Sequence, residues 1–161
     1  MRGRGLQVTR GALGKLKPEP GWLAVVMVFG TPVEGEAVIA RRAAYAVIAG
    51  PDDSVAVVDT RLGLFLPGGG ADPGETPADT ARRECLEELA REVRFTGPAR
   101  EALQHFSVDG RHFRMEAAFL EAEFVGEPQG RGEHELRWAA AADAGRFFHL
   151  SHAWAAGFVA G

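Results

Sequence analysis

The apolar residues of this chain fall in short runs divided by glycine, proline and acidic turns, and most of the runs have the length or the alternation of strands. Residues 22–29 are an unbroken apolar run that predicts a buried strand. Gly30 to Gly35 read as a turn, and 37–40 as a returning strand. Together they predict an added N-terminal hairpin over about 21–41, suited to pairing with a second subunit in a homodimer. Further strands are predicted at 43–49 and 54–59, flanking the turn Gly50-Pro51-Asp52-Asp53, and at 92–96. Residues 111–124 read as a long strand with one buried face, with Phe113, Met115, Ala117 and Phe119 on one side and His112, Arg114, Glu116 and Leu120 on the other. A glycine-rich loop follows at 126–132, then a strand at 134–139 and helices at 140–146 and 152–159.

The period changes after Thr76. Thr76 suits a helix cap, Pro77 the first helical position and Asp79 the acid of a capping box, so a helix is predicted from 77 to about 91. Ala78, Ala81, Cys85 and Leu89 form the stripe that packs inward. Glu84, Glu87 and Glu88 are related by i, i+3 and i, i+4 and project from another side, with Arg83 four residues before Glu87 and able to pair with it. One helix between the early and late strands, and more helix at the end, predicts an α/β fold. Its mixed sheet carries helices on both faces, an α/β/α sandwich rather than a doubly wound parallel sheet.

With 161 residues, 46% of them hydrophobic, the chain has the material for one domain with its own core, placed at 21–161. Residues 1–20 read as a basic, flexible arm. Arg2, Arg4, Arg10, Lys15 and Lys17 precede the first acid, and the glycine content and lack of an amphipathic pattern favour an arm over an organellar transit peptide. The apolar run at 22–29 is too short to cross a bilayer, so no membrane association is expected. A formal net charge of −4 gives no general attraction to nucleic acid. A single cysteine excludes an internal disulfide, and a cytoplasmic location is the expectation.

Chemistry concentrates between Leu66 and Glu88. Glu75, Glu84, Glu87 and Glu88 follow a glycine-rich turn and surround Arg83. Carboxylates this dense repel one another and raise each other's pKa values, so they call for a compensating cation; a hard metal with oxygen ligands, Mg²⁺ above all, meets that need. Gly68, Gly69 and Gly70 remove side chains just before the helix and let backbone approach a ligand. A solvated acidic helix face would explain a charge run alone. It leaves the glycines, the cap and the arginine as coincidence. His149 and His152 are three apart, but no further close histidine or cysteine pair completes a zinc site.

Gly69, five residues, Glu75, seven residues, Arg83-Glu84-Cys85, one residue and Glu87-Glu88 match the Nudix box, and the chain resembles the MutT-like Nudix hydrolases. The match departs after Glu88, where Ala90 and Arg91 stand in place of the family's glycine and aliphatic residue. The loss of the glycine suggests a helix that runs longer or ends less sharply. The strand and hairpin before the box, and 135–138 after it, extend the resemblance from about residue 42 to the C-terminus.

The resemblance implies a Nudix-type α/β/α sandwich and hydrolysis of a diphosphate bond in a small-molecule nucleotide. Mg²⁺, for which Mn²⁺ can substitute, would be held by the Gly69 carbonyl, Glu84, Glu87 and Glu88. Arg83 would orient the carboxylates, and Glu75 would be either a ligand through water or a structural acid. Glu87, Glu133 and Glu135 are candidates for the general base, and Arg42, His105 and Phe106 for substrate binding. A Nudix-like module that senses a nucleotide without cleaving it is the alternative; the retention of all four acids favours catalysis. The substrate is open, with nucleoside triphosphates as the default.

Overall fold

The computed structural model describes residues 27–159. The basic arm at 1–20 and the first residues of the apolar run at 22–29 lie outside that range. In chain order the elements are β1 (Met27–Phe29), β2 (Val38–Ile48), β3 (Val55–Thr60), β4 (Gly63–Phe65), β5 (Gly68–Gly70), α1 (Pro77–Leu89), β6 (Glu92–Val108), β7 (Arg111–Val125), β8 (Arg137–Ala139) and α2 (Leu150–Ala156). Short 3-10 turns occupy Pro51–Asp53 and Ala141–Arg146.

A five-stranded mixed sheet in the order β1-β6-β7-β2-β5 carries the fold, beside a three-stranded sheet, β4-β3-β8. β2 runs parallel to β7 along its whole length, from Val38 opposite His112 to Ile48 opposite Ala122, and antiparallel to β5 at Ala43–Tyr45. Two helices cover the two faces of the large sheet. Ala43, Tyr45 and Val47 of β2 pack with Met115, Phe119 and the α2 residues Ala155 and Ala156. Ala44 meets Ala81 of α1, and Ala46 and Ile48 meet Cys85. Tyr45 and Ala46 thus point to opposite sides and both are buried, which is why this stretch reads as a continuous apolar run and not as an alternation. The α/β/α sandwich with a mixed sheet is therefore the observed architecture.

Among the described residues the two strands of the predicted N-terminal hairpin do not pair with each other. β1 pairs parallel with β6, at Ala102–Gln104, and residues 38–41 are the first residues of β2. Two strands, β6 and β7, separate β1 from β2 in the sheet, so the turn at 30–35 crosses between non-neighbours. The strand predicted at 92–96 continues to Val108. Gly97 and Pro98 read as breakers, yet they lie in a bulge where four residues of β6, Phe95 to Ala99, advance against two of β7, Ala122 to Leu120. Bulges are where strands tolerate proline. β7 has its predicted single buried face only in its first half; Ala117, Ala118, Phe119 and Leu120 are all buried because both helical layers reach them. At the C-terminal end, 134–139 forms strand only at Arg137–Ala139, the helix expected at 140–146 is a 3-10 turn, and α2 is displaced to Leu150–Ala156.

α1 begins as the sequence predicts. The Thr76 hydroxyl accepts from the Asp79 N–H at 3.2 Å and the Asp79 carboxylate from the Thr76 N–H at 3.0 Å, a closed capping box whose cap is worth about 1 kcal/mol. Ala81, Cys85 and Leu89 are buried against the sheet and anchor the helix on the side away from its acids. Its end differs from the expectation of a helix running to about Arg91. Ala90 takes the left-handed conformation, φ 53°, and its N–H donates to Leu86 O, so the helix stops sharply at Leu89 although no glycine is present.

Candidate active site

Three elements meet at the edge of the large sheet: β5, the acidic side of α1, and the loop 126–134. β5 can lie against α1 because it has no side chains. A Cβ on Gly69 would come within 2.8 Å of the Glu84 carboxylate, so the bare backbone there lets that acid lie against β5 in its present position.

Arg83 holds the centre. Its Nε donates to Glu75 Oε2 at 2.8 Å, and its Nη2 donates to Glu75 Oε1 and to the Gly70 carbonyl, each at 2.9 Å. Nη1 donates to Glu84 Oε1 at 3.1 Å and to Glu87 at 3.3 Å. Glu75 also accepts from the Asp72 N–H at 2.7 Å and from the Thr80 hydroxyl at 3.1 Å. The bidentate arginine first, and the Asp72 amide second, hold the Glu75 carboxyl down at about 2.

Glu88 is the opposite case. It is 8% exposed and accepts one hydrogen bond, from the Gly68 N–H at 2.8 Å. Burial pushes it up to about 8, against the pull of that amide, and the charges of Glu84, Glu133 and Glu87 add to the rise. Glu84 is also raised, by burial first and by Glu87 and Glu133, with Arg83 opposing. Cys85, between these acids but on the packed side, is pushed up to about 12 by burial and is an inert thiol.

The loop at 126–134 is fastened to the end of α1. The N–H groups of Gln129, Glu133 and His134 donate to the carbonyls of Ala90 (2.8 Å), Glu87 (3.0 Å) and Glu88 (2.8 Å), satisfying acceptors that a helix leaves unpaired. Gly132 permits this approach, since a Cβ there would lie 2.2 Å from the Glu88 carbonyl oxygen. The loop thereby brings Glu133 near enough to raise Glu84 and Glu88. Glu135 is not brought in; it is exposed and paired with Arg137 at 2.9 Å.

Of the three candidates for substrate contact, two lie away from the cleft beside this cluster. Arg42 points to the α1 side of the sheet and pairs with Glu116 at 3.4 Å, and His105, level with Arg114 in the strand pairing, shares that side. The period of two decides it: Arg41, not Arg42, shares a face with Ala43 and Tyr45. Phe106 lies on the Arg41 side, stacked on Phe113 with ring centres 4.8 Å apart and edge-on to His149. A cleft of about 300 Å³ runs there between Arg41, Tyr45, Phe65 and Arg61 and ends on Gly68, Gly69 and Glu88. A smaller cavity, about 140 Å³, lies by β8 and touches none of the glutamates of the cluster. His149 and His152 are buried among aromatic rings, and the Nδ1 of His152 accepts from the Leu66 N–H at 3.1 Å, which makes them part of the packing. The sequence reading missed Arg41, whose signal was its parity with Ala43 and Tyr45. It also missed Gly132, which carried no signal beyond a glycine-rich loop.

Among the described residues no three carboxylates close on one point, because Glu84 and Glu87 turn to Arg83 while Glu88 turns to Gly68. The donor chemistry nevertheless fits a divalent cation. The donors are all oxygen, and two of the acids, Glu84 and Glu88, have their charged forms disfavoured by burial and by the neighbouring acids Glu87 and Glu133.

A NUDIX domain profile matches residues 39–160. The chain belongs to the NUDIX family. That membership makes the protein a hydrolase of phosphoanhydride bonds, in a family whose enzymes generally use a divalent metal. Solved structures agree on the Nudix fold. A NUDIX hydrolase from Nitrosomonas europaea has a TM-score of 0.55 at 18% identity, over 73% of this chain and 86% of that one. The dihydroneopterin triphosphate pyrophosphohydrolase of E. coli has a TM-score of 0.54 at 22% identity, over 73% and 94%. A MutT NUDIX hydrolase from Burkholderia pseudomallei has a TM-score of 0.54 at 23% identity, over 74% and 97%. No curated protein sequence matches the chain significantly.

Proposed function

We propose that this Nudix protein is a Mg²⁺-dependent pyrophosphohydrolase that cleaves the diphosphate bond of a nucleoside triphosphate or another nucleoside diphosphate derivative. The observation that carries this reading is Glu88, a buried carboxylate pushed up to about 8 beside two further acids and a glycine strand, in a cleft large enough for part of a nucleotide. The name of one fold neighbour, a triphosphate pyrophosphohydrolase, accords with it.

Glu84, Glu87, Glu88 and the Gly69 carbonyl are the groups proposed to hold the ion. When bound, Mg²⁺ supplies positive charge against the phosphate oxygens and acidifies the attacking water. Arg83 fixes Glu75 and the Gly70 carbonyl, and its Nη1 contacts with Glu84 and Glu87 support a role in orienting those two acids, which would be released to the cation when it binds. Glu75, already saturated with donors, is the structural acid of the set. Glu133 is proposed as the general base, because its backbone is fastened to Glu87 O and its charge is felt by Glu84 and Glu88, whereas Glu135 is held by Arg137. The protein is proposed to act in the cytoplasm.

The test is a panel of nucleoside triphosphates, dinucleoside polyphosphates and nucleotide sugars with Mg²⁺ or Mn²⁺, followed by identification of products. Release of phosphate or pyrophosphate from none of them would sink the reading. Tight, metal-dependent binding of an intact nucleotide without turnover would make the protein a sensor. For the base, Glu133→Gln should lower kcat by about a hundredfold with little change in substrate affinity, and Glu135→Gln should leave kcat within about twofold.

A further inference from the structure

β5 is one backbone thick, and its two sides carry opposite charge. On the α1 side stand Glu75, Glu84, Glu87, Glu88 and the nearby Glu133, with Arg83 as the compensating cation. On the other side Arg41 lies against Gly70, so close that a Cβ there would come within 3.0 Å of its Nη2. Among the described residues Arg41 has no ion pair and no aromatic ring beneath it. Arg42, Arg61, Arg94, Arg100 and Arg137 each hold an acid, and Arg82, Arg91 and Arg111 each cover a ring. A guanidinium has five donors and no acceptor, and Arg41 turns them into the cleft that ends on Gly69 and Glu88.

The charge of the site gives that cation a task. The acids of the cluster outnumber its one guanidinium and repel an approaching phosphate chain, and any metal bound there would be spent first on them. The part of the ligand that reaches past β5 meets only Arg41 and Arg61 as charged groups of the cleft other than Glu88, and Arg61 is engaged with Asp109 at 3.2 Å. The ligand that needs Arg41 most is the one with most charge beyond the cleaved bond.

We propose that Arg41 binds the phosphate chain of the substrate from the cleft side of β5, and that it selects for ligands with an ionised terminal phosphate over those in which that phosphate is absent. The proposal rests on reading the carboxylate cluster as the hydrolytic site.

The test is calorimetric binding to the full chain in Mg²⁺, using the α,β-methylene triphosphates of adenosine and guanosine, the corresponding diphosphates and the monophosphates. Arg41→Gln should weaken the triphosphate analogues roughly tenfold to a hundredfold, the diphosphates less and the monophosphates least, at an unchanged melting temperature. An equal loss for all three would mean a structural role and overturn the proposal. So would wild-type affinity in Arg41→Gln, or the same graded loss in Arg42→Gln instead. If the wild-type protein hydrolyses nucleotides and Arg41→Gln binds like it, only this inference falls. If the wild-type protein binds none of the ligands, the hydrolytic reading falls with it.

Discussion

The two ends of one motif treat the same side chain in opposite ways. Glu75 receives a bidentate arginine, an amide and a hydroxyl, and its carboxyl is held down at about 2. Glu88, at the far end of α1, is buried with a single amide donor among like charges and rises to about 8. The first end is complete without any ligand. The second is left short of positive charge by the fold itself, which is the condition expected of a place built to receive a cation and not merely to close a loop. Arg83 joins the two ends, since the same guanidinium that saturates Glu75 also touches Glu84 and Glu87.

The sharpest way to break this contrast is Glu88→Gln. The amide oxygen can still accept from the Gly68 N–H, so the fold should stand, while the loss of a charged donor should lower kcat by more than about a hundredfold. Stability should move the other way. Glu88 has a folded pKa raised above its ordinary value of 4.5, so its contribution to stability is full below that value and is lost as pH rises through about 8. Glu84, raised for the same reasons, acts in the same direction. Metal-free wild-type protein should therefore lose on the order of 2–4 kcal/mol between pH 5 and pH 9, after allowance for relaxation around the buried group. In Glu88→Gln, and in wild type saturated with Mg²⁺, most of that fall should vanish. Urea unfolding in chelator at several pH values reads it directly. A flat wild-type profile would mean that Glu88 carries no uncompensated burial.

The other end is probed by Arg83→Lys, with a smaller effect on activity. A lysine is a point donor and cannot hold Glu75 through two oxygens while also reaching the Gly70 carbonyl. A fall of about tenfold in kcat is expected, since only the positioning of Glu84 and Glu87 is disturbed. The pH signature should be acidic here. Glu75, with a folded pKa below its ordinary 4.5, contributes stability that is present above that value and is lost as pH falls through about 2. Arg83→Lys should therefore begin to unfold at a higher pH on the acid side, with its alkaline limb unchanged. An unaltered acid limb would show that Glu75 does not depend on the arginine.

Much of this contrast could be read from the residues in order, because α1 is a local object. The cap, the packed stripe of Ala81, Cys85 and Leu89, and the shared side of Glu84, Glu87 and Glu88 are all set by a helical period acting within thirteen residues. What the order of residues hid depends on contacts distant in sequence. Gly97 and Pro98 look like a strand break until β7 is seen to absorb them in a bulge. Residues 38–41 look like half of a hairpin until β7, not β1, proves to be their neighbour. Arg41 and Arg42 are indistinguishable as residue types; only the pairing of β2 with β5 and β7 assigns one to the cleft and the other to Glu116. The loop holding Glu133 could be recognised as a loop, but its service to the exposed carbonyls of α1 could not.

The smallest effect tests how α1 is terminated beside Glu87 and Glu88, two of the acids proposed to hold the ion. Ala90 occupies the left-handed region, φ 53°, where an L-residue with a Cβ is disfavoured by roughly 1 kcal/mol. It is held there because Arg91 N–H reaches back to Cys85 O at 3.4 Å and Gln129 N–H to Ala90 O at 2.8 Å, so the turn is fixed from both sides. Ala90→Gly should therefore raise stability by about 0.5–1 kcal/mol and the melting temperature by a few degrees, with kcat unchanged. The opposite sign has an equally definite meaning. Were the helix to continue through Ala90 toward Arg91, as the missing glycine suggests, the same substitution would place glycine inside a helix and cost about 1 kcal/mol. The sign of one melting shift thus decides whether Glu87 and Glu88 stand on the last turn of a helix that stops at Leu89 or on the interior of a longer one.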